Sequence, residues 1–211
     1  MFSFSKIADE FDDHISSQLF WHSDFLNHFL PEIASVFMQT SSIVYDFGAS
    51  TGNVEVALKE KINERDVEFV AIEKCQEMIK NYKGNKENVS VNDFLKTRLE
   101  PFSFATSILA LSFIHPSDRV SFIEKVKKRC KRGGAFLILE KMVNHSGYLG
   151  VALNRVTWKN KIEQGSSLTN VINKELSLSG VQYPLSDSEL DGFDLIWAYG
   201  DFRSYIWRNG F

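Results

Sequence analysis

Apolar positions recur along this chain at two spacings, and the change from one to the other predicts its elements. Over the first forty positions Ile7, Phe11 and Ile15, then Phe25, Phe29, Ile33 and Phe37, follow one helix face, with Pro31 marking a start or a break. A short apolar run, Ile43 to Phe47, then enters Gly48-Ala49-Ser50-Thr51-Gly52, and a helical pattern resumes from Asn53 to Ile62. The alternation repeats: strand Val67 to Ile72, helix Cys75 to Tyr82, short strand Val89 to Val91, strand Phe104 to Leu111. Pro116 opens a helix to Lys131 that Arg132-Gly133-Gly134 closes, and Ala135 to Leu139 is a further strand. After Glu140 the rhythm changes. Gly147 to Ser179 is mostly helical, and the aromatic strands Phe193 to Tyr199 and Arg203 to Trp207 stand three residues apart, a link that suits a hairpin.

Strands alternating with helices predict an α/β domain, a parallel sheet of seven strands covered on both faces and finished by an antiparallel C-terminal pair. At 211 residues and 44% hydrophobic content one domain suffices. Within it residues 1–40 form a helical preface, 41–140 the ligand-binding core, and 141–211 a helical region with the closing hairpin. Twenty-four basic against twenty-seven acidic residues, a net charge of -3, give no footprint for nucleic acid. Cys75 and Cys130 lack metal or redox spacing and suit a reducing compartment, and neither a signal peptide nor a membrane span is visible, so a cytoplasmic protein is expected. The eighteen phenylalanines are read as core.

In an open α/β sheet ligands bind beyond the carboxyl ends of the strands near the switch point, so the turn after the first strand is the leading site. Gly48 and Gly52 permit a sharp turn and a close approach, with helix amides beyond to receive an anion. The dinucleotide pattern fails because Ser50 and Asn53 stand where its second and third glycines belong. Asp46 suits a ligand with a cationic part. GASTG also satisfies the serine-hydrolase elbow, but it follows the first strand, and His115 and His145 form no persuasive triad with it. Glu73 lies 21 positions after Gly52, near the ~20-residue offset at which an acid reaches ribose hydroxyls; otherwise it is a solvated strand-end acid. Asp93 can accept from an adenine amino group with Phe94 or Met78 over a ring face, or can simply cap a helix.

Five segments, VYDFGASTGN (Val44 to Asn53), FVAIEKCQEMI (Phe69 to Ile79), VNDF (Val91 to Phe94), SILALSFIHPSDR (Ser107 to Arg119) and CKRGGAFLILEK (Cys130 to Lys141), resemble in order the class I S-adenosylmethionine-dependent methyltransferases. FSKIADEFDDHI and NKELSLSGVQYPL resemble the subgroup that includes the carboxy-S-adenosylmethionine synthases. The resemblance implies a Rossmann-like doubly wound sheet and S-adenosylmethionine as cofactor. Asp46 with the backbone of Gly48, Ala49, Ser50 and Gly52 would receive its methionine part, Glu73 with Lys74 alongside its ribose, and Asp93, Phe94 and Met78 its adenine. Carbonyls of Leu109, Ala110 and Leu111 would take the amino group. Ser50 replaces the usual loop glycine. Lys174-Glu175 replaces the subgroup's Lys-Arg pair, an exchange that favours methyl over carboxyl transfer.

Methyl transfer needs mainly alignment, because the cofactor carries its own leaving group. His115 could take an acceptor proton, or serve only as a helix-start residue. His14, His22, His28, Phe20 and Trp21 belong to the preface, read either as a lid or as ordinary helices. Arg155, Lys159, Lys161 and Lys174 around Trp158 could hold an anionic acceptor, RNA or a small acid, or form a solvated face. A homodimer and a non-catalytic binding module remain open on sequence.

Overall fold

The computed structural model describes residues 3–143 and 147–210, so His145 lies outside the described residues. Its centre is a sheet of seven strands among those residues, in the order β3-β2-β1-β4-β5-β7-β6. The strands are β1 (Ile43–Phe47), β2 (Glu68–Glu73), β3 (Val89–Val91), β4 (Phe102–Ile108), β5 (Cys130–Lys141), β6 (Asp194–Tyr199) and β7 (Phe202–Arg208). β1 to β5 run parallel, and β7 pairs antiparallel with both β5 and β6.

Side chains alternate across the strands, so neighbouring residues serve opposite layers. Val44, Phe104 and Leu137 pack on one face with Phe25, Leu30 and Leu58; Phe47, Phe136 and Ile138 pack on the other with Phe102 and Phe122. Among the described residues nine phenylalanines are buried in these cores, whereas Phe20 is exposed.

The helices are α1 (Phe11–Gln18), α2 (His22–Asp24), α3 (Leu30–Phe37), α4 (Asn53–Glu64), α5 (Gln76–Lys80), α6 (Pro116–Lys127), α7 (Gly147–Glu163) and α8 (Leu168–Ser177). Pro31 lies in the first turn of α3, where a sequence start signal would put it. Its missing N–H is absorbed by a π-helical stretch, Phe25–Phe29, in which the Leu30 N–H reaches back to the Phe25 carbonyl. Two expectations change. Gly133 and Gly134 lie inside β5, where Gly133 has φ +77 and the β4–β5 register slips between Phe102 and Phe104; they form a bulge and do not close α6. β4 ends at Ile108, because Leu109 turns to φ +55 and Leu111–Phe113 forms a 3-10 turn.

The order places β1 beside both β2 and β4, so the chain diverges to either side of it. The turns after β1 and β4 therefore face each other across a gap.

Candidate functional site

That gap opens into a cavity of about 590 Å3. Of the residues expected at the site, Asp46, Gly48, Ala49, Ser50, Glu73, Lys74, Met78, Asp93, Phe94, Leu109, Ala110 and His115 line it. Gly52 and Leu111 stand behind the wall.

Asp46, near the end of β1, is fully buried. Its Oδ1 accepts from the Thr106 hydroxyl at 2.8 Å, while Oδ2 has no partner. Burial, with smaller contributions from the Glu73 and Glu55 carboxylates, pushes its carboxyl up to about 7. The turn beyond it is tight because Gly48 has φ +80 and a Cβ there would meet the Ala110 Cβ at 2.5 Å. Only a residue without a side chain lets the β1 and β4 turns close on each other.

The loop's donors point inward. The Gly48 and Ala49 amides donate to the Ile72 carbonyl at 2.9 and 3.2 Å, Gly52 to Ala49 at 2.9 Å, and Ser50 to Glu73 Oε2 at 2.8 Å. Four of the GASTG amides therefore already have acceptors, which leaves an anion to the amides of the helix start beyond, where the sequence places it. The start of α4, where Asn53 and Val54 line the cavity, is the helix end that faces it. Ser50 is no hydrolase nucleophile in this arrangement: its hydroxyl lies 3.6 Å from the Met78 sulfur.

Glu73 ends β2 and does two backbone jobs, accepting from Ser50 through Oε2 and from the Cys75 N–H through Oε1 at 2.7 Å. Each carboxylate oxygen keeps a second lone pair for a ligand. Asp93 caps the Leu95 N–H at 3.0 Å and pairs with Lys74 at 3.4 Å. Phe94 leans on Phe122, ring centroids 4.8 Å apart, so its place in the wall is fixed from the core side.

Leu111 departs from its expected role. Its N–H donates to the buried Glu140 at 2.5 Å, and its carbonyl accepts from Arg119 Nε at 3.0 Å. Arg119 also reaches the Ile114 carbonyl and Glu189, each within 3.1 Å. This buried guanidinium and the Glu140 carboxylate hold the turn, and Leu111 is not among the residues that line the cavity. His115 lies on the exposed rim, where its Nδ1 accepts from the Ser117 N–H at 3.3 Å and so caps α6. The shorter contact of Nδ1 is with the Ser117 hydroxyl at 2.8 Å, so in either tautomer this nitrogen is engaged by the start of α6.

The preface contributes more than its sequence showed. Phe4, Phe11, Ile15, His22 and Leu26 complete the cavity wall. Asp12 ties this cover to the loop, accepting from Thr51 Oγ1 at 2.9 Å and Asn53 Nδ2 at 2.8 Å and pairing with Lys83 at 2.7 Å. Burial holds His22 down to about 4, so a neutral imidazole forms part of the wall. The helical period of the preface placed these residues on helices; which face meets the cavity is set only by packing. Among the described residues no cluster of His, Cys, Asp and Glu could hold a metal, and no helix is long and apolar enough to cross a membrane.

No family model matches the chain. It is similar to proteins named carboxy-S-adenosyl-L-methionine synthase from Staphylococcus epidermidis (27% identical, 88% of this chain and 82% of the relative) and from Helicobacter hepaticus (26% identical, 96% and 92%). Among solved structures it is similar to an S-adenosylmethionine-dependent methyltransferase from Clostridium acetobutylicum (TM-score 0.60, 12% identity, 96% of this chain and 99% of that one). A putative methyltransferase from Methanococcus maripaludis aligns at TM-score 0.59 and 17% identity, over 100% and 96%. The sheet order, the cavity at the switch point and the structural likenesses show that the chain has the Rossmann-like fold of the class I S-adenosylmethionine-dependent methyltransferases, and its sequence is similar to proteins named carboxy-S-adenosyl-L-methionine synthase.

Proposed function

We propose that the cavity binds S-adenosylmethionine and that the protein transfers its methyl group to an acceptor. The observation that carries the binding is Asp46 Oδ2, a buried carboxylate oxygen without a donor in the cavity wall. A buried charge needs a partner, and the ammonium of this ligand is one. The carbonyls of Leu109 and Ala110 can join it, while the first turn of α4 suits the ligand carboxylate. Glu73 has lone pairs for the ribose hydroxyls, with Lys74 beside it. Asp93 can accept from the adenine amino group between Phe94 and Met78.

When bound, the group supplies an electrophilic methyl carbon on a sulfonium. The chain's own part is to align and to exclude water. Asp46, Glu73 and Asp93 fix three points of the ligand, and the latched preface, with Phe11, Ile15 and neutral His22, walls off solvent. No protein base is assigned.

The names of the relatives favour a second reading, carboxyl transfer to the cofactor. An added carboxylate in this cavity would need a cation to offset its desolvation. Among the described lining residues Lys74 is the lysine and it pairs with Asp93; Arg203 is engaged by Asp187 at 3.2 Å, and Glu175 by Lys161 at 3.0 Å. This favours methyl transfer. Titration calorimetry with S-adenosylmethionine should show saturable heat, and its absence at millimolar ligand would remove the binding. Incubation with S-adenosylmethionine and prephenate, the carboxyl donor that the synthase resemblance implies, should give no product heavier by one carboxyl group in mass spectrometry; catalytic appearance of that product would replace methyl by carboxyl transfer.

A further inference from the structure

The acids proposed to hold S-adenosylmethionine follow the sheet toward one edge: Asp46 is in β1, Glu73 ends β2 and Asp93 lies just after β3. A ligand on those three points leaves another part of the wall unused. Phe11, Ile15, His22 and Leu26 of the preface line the same cavity, as does Ile108 at the end of β4, the strand on the opposite side of β1. His22 is the polar member of this group, and it is buried. Its ring meets the Trp21 ring at 61°, centroids 6.1 Å apart. Among the described residues no hydrogen bond reaches its ring nitrogens, and Asp12 supplies the charge acting on it, which burial outweighs. The neutral imidazole therefore brings one lone pair and one N–H to an otherwise apolar wall.

Charge narrows what can sit against that wall. Among the described lining residues Asp46, Glu73, Asp93 and Asp118 carry carboxyl groups, while Lys74 is matched by Asp93 at 3.4 Å. An acceptor with a carboxylate or phosphate would be enclosed without a cation of the protein, and the sulfonium is no lasting partner, because its charge leaves it when the methyl group moves. A cationic acceptor fails for other reasons. The sulfonium repels it, and a protonated amine has no lone pair with which to attack.

We infer that the part of the cavity beneath the preface is the acceptor subsite, and that it takes a small uncharged molecule with an apolar body and one O–H or N–H nucleophile, which donates to His22. This rests on the methyl-transfer reading above, which leaves the proton acceptor open. The oxygen or nitrogen lone pair of the acceptor attacks the methyl carbon, and the carbon–sulfur bond breaks with its electron pair on sulfur, leaving S-adenosylhomocysteine. The acceptor's proton passes to the His22 lone pair, and the imidazolium releases it to solvent. Positive charge thus moves from the sulfonium to the imidazole. A ring held down to about 4 suffices, because the proton becomes acidic as the methyl group arrives, and such a ring keeps its lone pair at neutral pH.

The test follows the Ile15 δ1-methyl signal by NMR, assigned with Ile15→Val, with and without saturating S-adenosylhomocysteine. The probes are p-cresol, p-toluidine and toluene, with 4-hydroxybenzoate and 4-aminobenzoate as charged counterparts. Saturable movement with p-cresol or p-toluidine is expected in both conditions, the tighter of the two identifying O–H or N–H as the preferred nucleophile. The benzoates should bind about tenfold more weakly or worse, since each buries an unpaired charge. His22→Phe should weaken p-cresol and p-toluidine about fivefold, the effect of one hydrogen bond, and leave toluene unchanged. Damage to the fold would weaken all three alike, and if this variant does not fold, the parent's choice between neutral and charged probes decides. No saturable movement with either neutral nucleophile, benzoates that bind as tightly, displacement of the probes by S-adenosylhomocysteine, or equal effects of His22→Phe on p-cresol and toluene would overturn the subsite. Absence of calorimetric heat with S-adenosylhomocysteine strikes the methyl-transfer reading instead, whereas heat without probe binding strikes this inference alone.

Discussion

Asp46 and Glu73 are both acids at strand ends, yet their surroundings give them different work. Asp46, which lines the cavity, has one oxygen satisfied and one buried without a hydrogen-bond partner. With its carboxyl pushed up to about 7, it is largely neutral in mildly acid solution and ionised above neutrality. Only the ionised form attracts an ammonium, so affinity for S-adenosylmethionine should rise as pH increases through about 7. The gain between pH 6 and pH 8 should approach tenfold, the effect of about one pKa unit of coupling. Calorimetry at the two pH values checks this, and Asp46→Asn should bind weakly with no such step; a step that survives the substitution would assign it elsewhere. Glu73 is a different case. Its sequence position suggests a ribose acid, but its oxygens also hold the backbone N–H groups of Ser50 in the loop and of Cys75 just before α5. Glu73→Ala therefore disturbs the loop itself. Glu73→Gln, which keeps the shape, is the cleaner test. Binding should weaken by about 1.5 to 3 kcal/mol, the range for a hydrogen bond to a charged group, with a smaller change in the unfolding midpoint than Glu73→Ala produces. Parent-like affinity in Glu73→Gln would show that the ribose is held by another group.

Among the elements, those with a single period were legible and those with a conflict were not. β1 and β3 fall where the apolar runs put them, because such a run between turn signals has one use in a buried sheet. The end of β4 was misread because Leu109 and Leu111 are as apolar as the strand before them, and the reversal at Leu109 is imposed by Arg119 and Glu140 gripping the turn beyond. The glycine pair after α6 has the composition of a helix stop, and only pairing with β4 makes it a bulge. At the cavity, strand-end residues were readable from topology, whereas Asp12 and His22 depend on how the preface lies over the sheet, which carries no local signal. The packing of the two facing turns gives a sharp test. Gly48→Ala adds a methyl group 2.5 Å from the Ala110 Cβ at a backbone angle of φ +80. The left-handed conformation alone costs roughly 1–2 kcal/mol, and separating the turns adds to it. Thermal unfolding should fall accordingly and ligand affinity with it; an unchanged midpoint would mean that the turns can part freely.

For the molecule as a whole, the alternation of strands and helices and the closing hairpin were enough to specify the architecture, while charge partnerships between distant segments were not. Lys161 illustrates this. Its sequence neighbourhood reads as a solvated face or an acceptor surface, yet it is buried against Glu175 of the next helix. The position of β7 has a consequence for how the chain is made. β5 and β6 are both synthesised before it, but neither pairs with the other: β7 lies between them and supplies hydrogen bonds to each. Until β7 emerges from the ribosome, the apolar β5 keeps one unsatisfied edge, and β6 has no partner in the sheet. An open edge of this kind is a template for pairing with another chain. The nascent protein is therefore most exposed to aggregation in the interval between completion of β5 and arrival of β7, while α7 and α8 are being made, and its safe passage depends on how quickly that stretch is translated or on what shields the edge meanwhile.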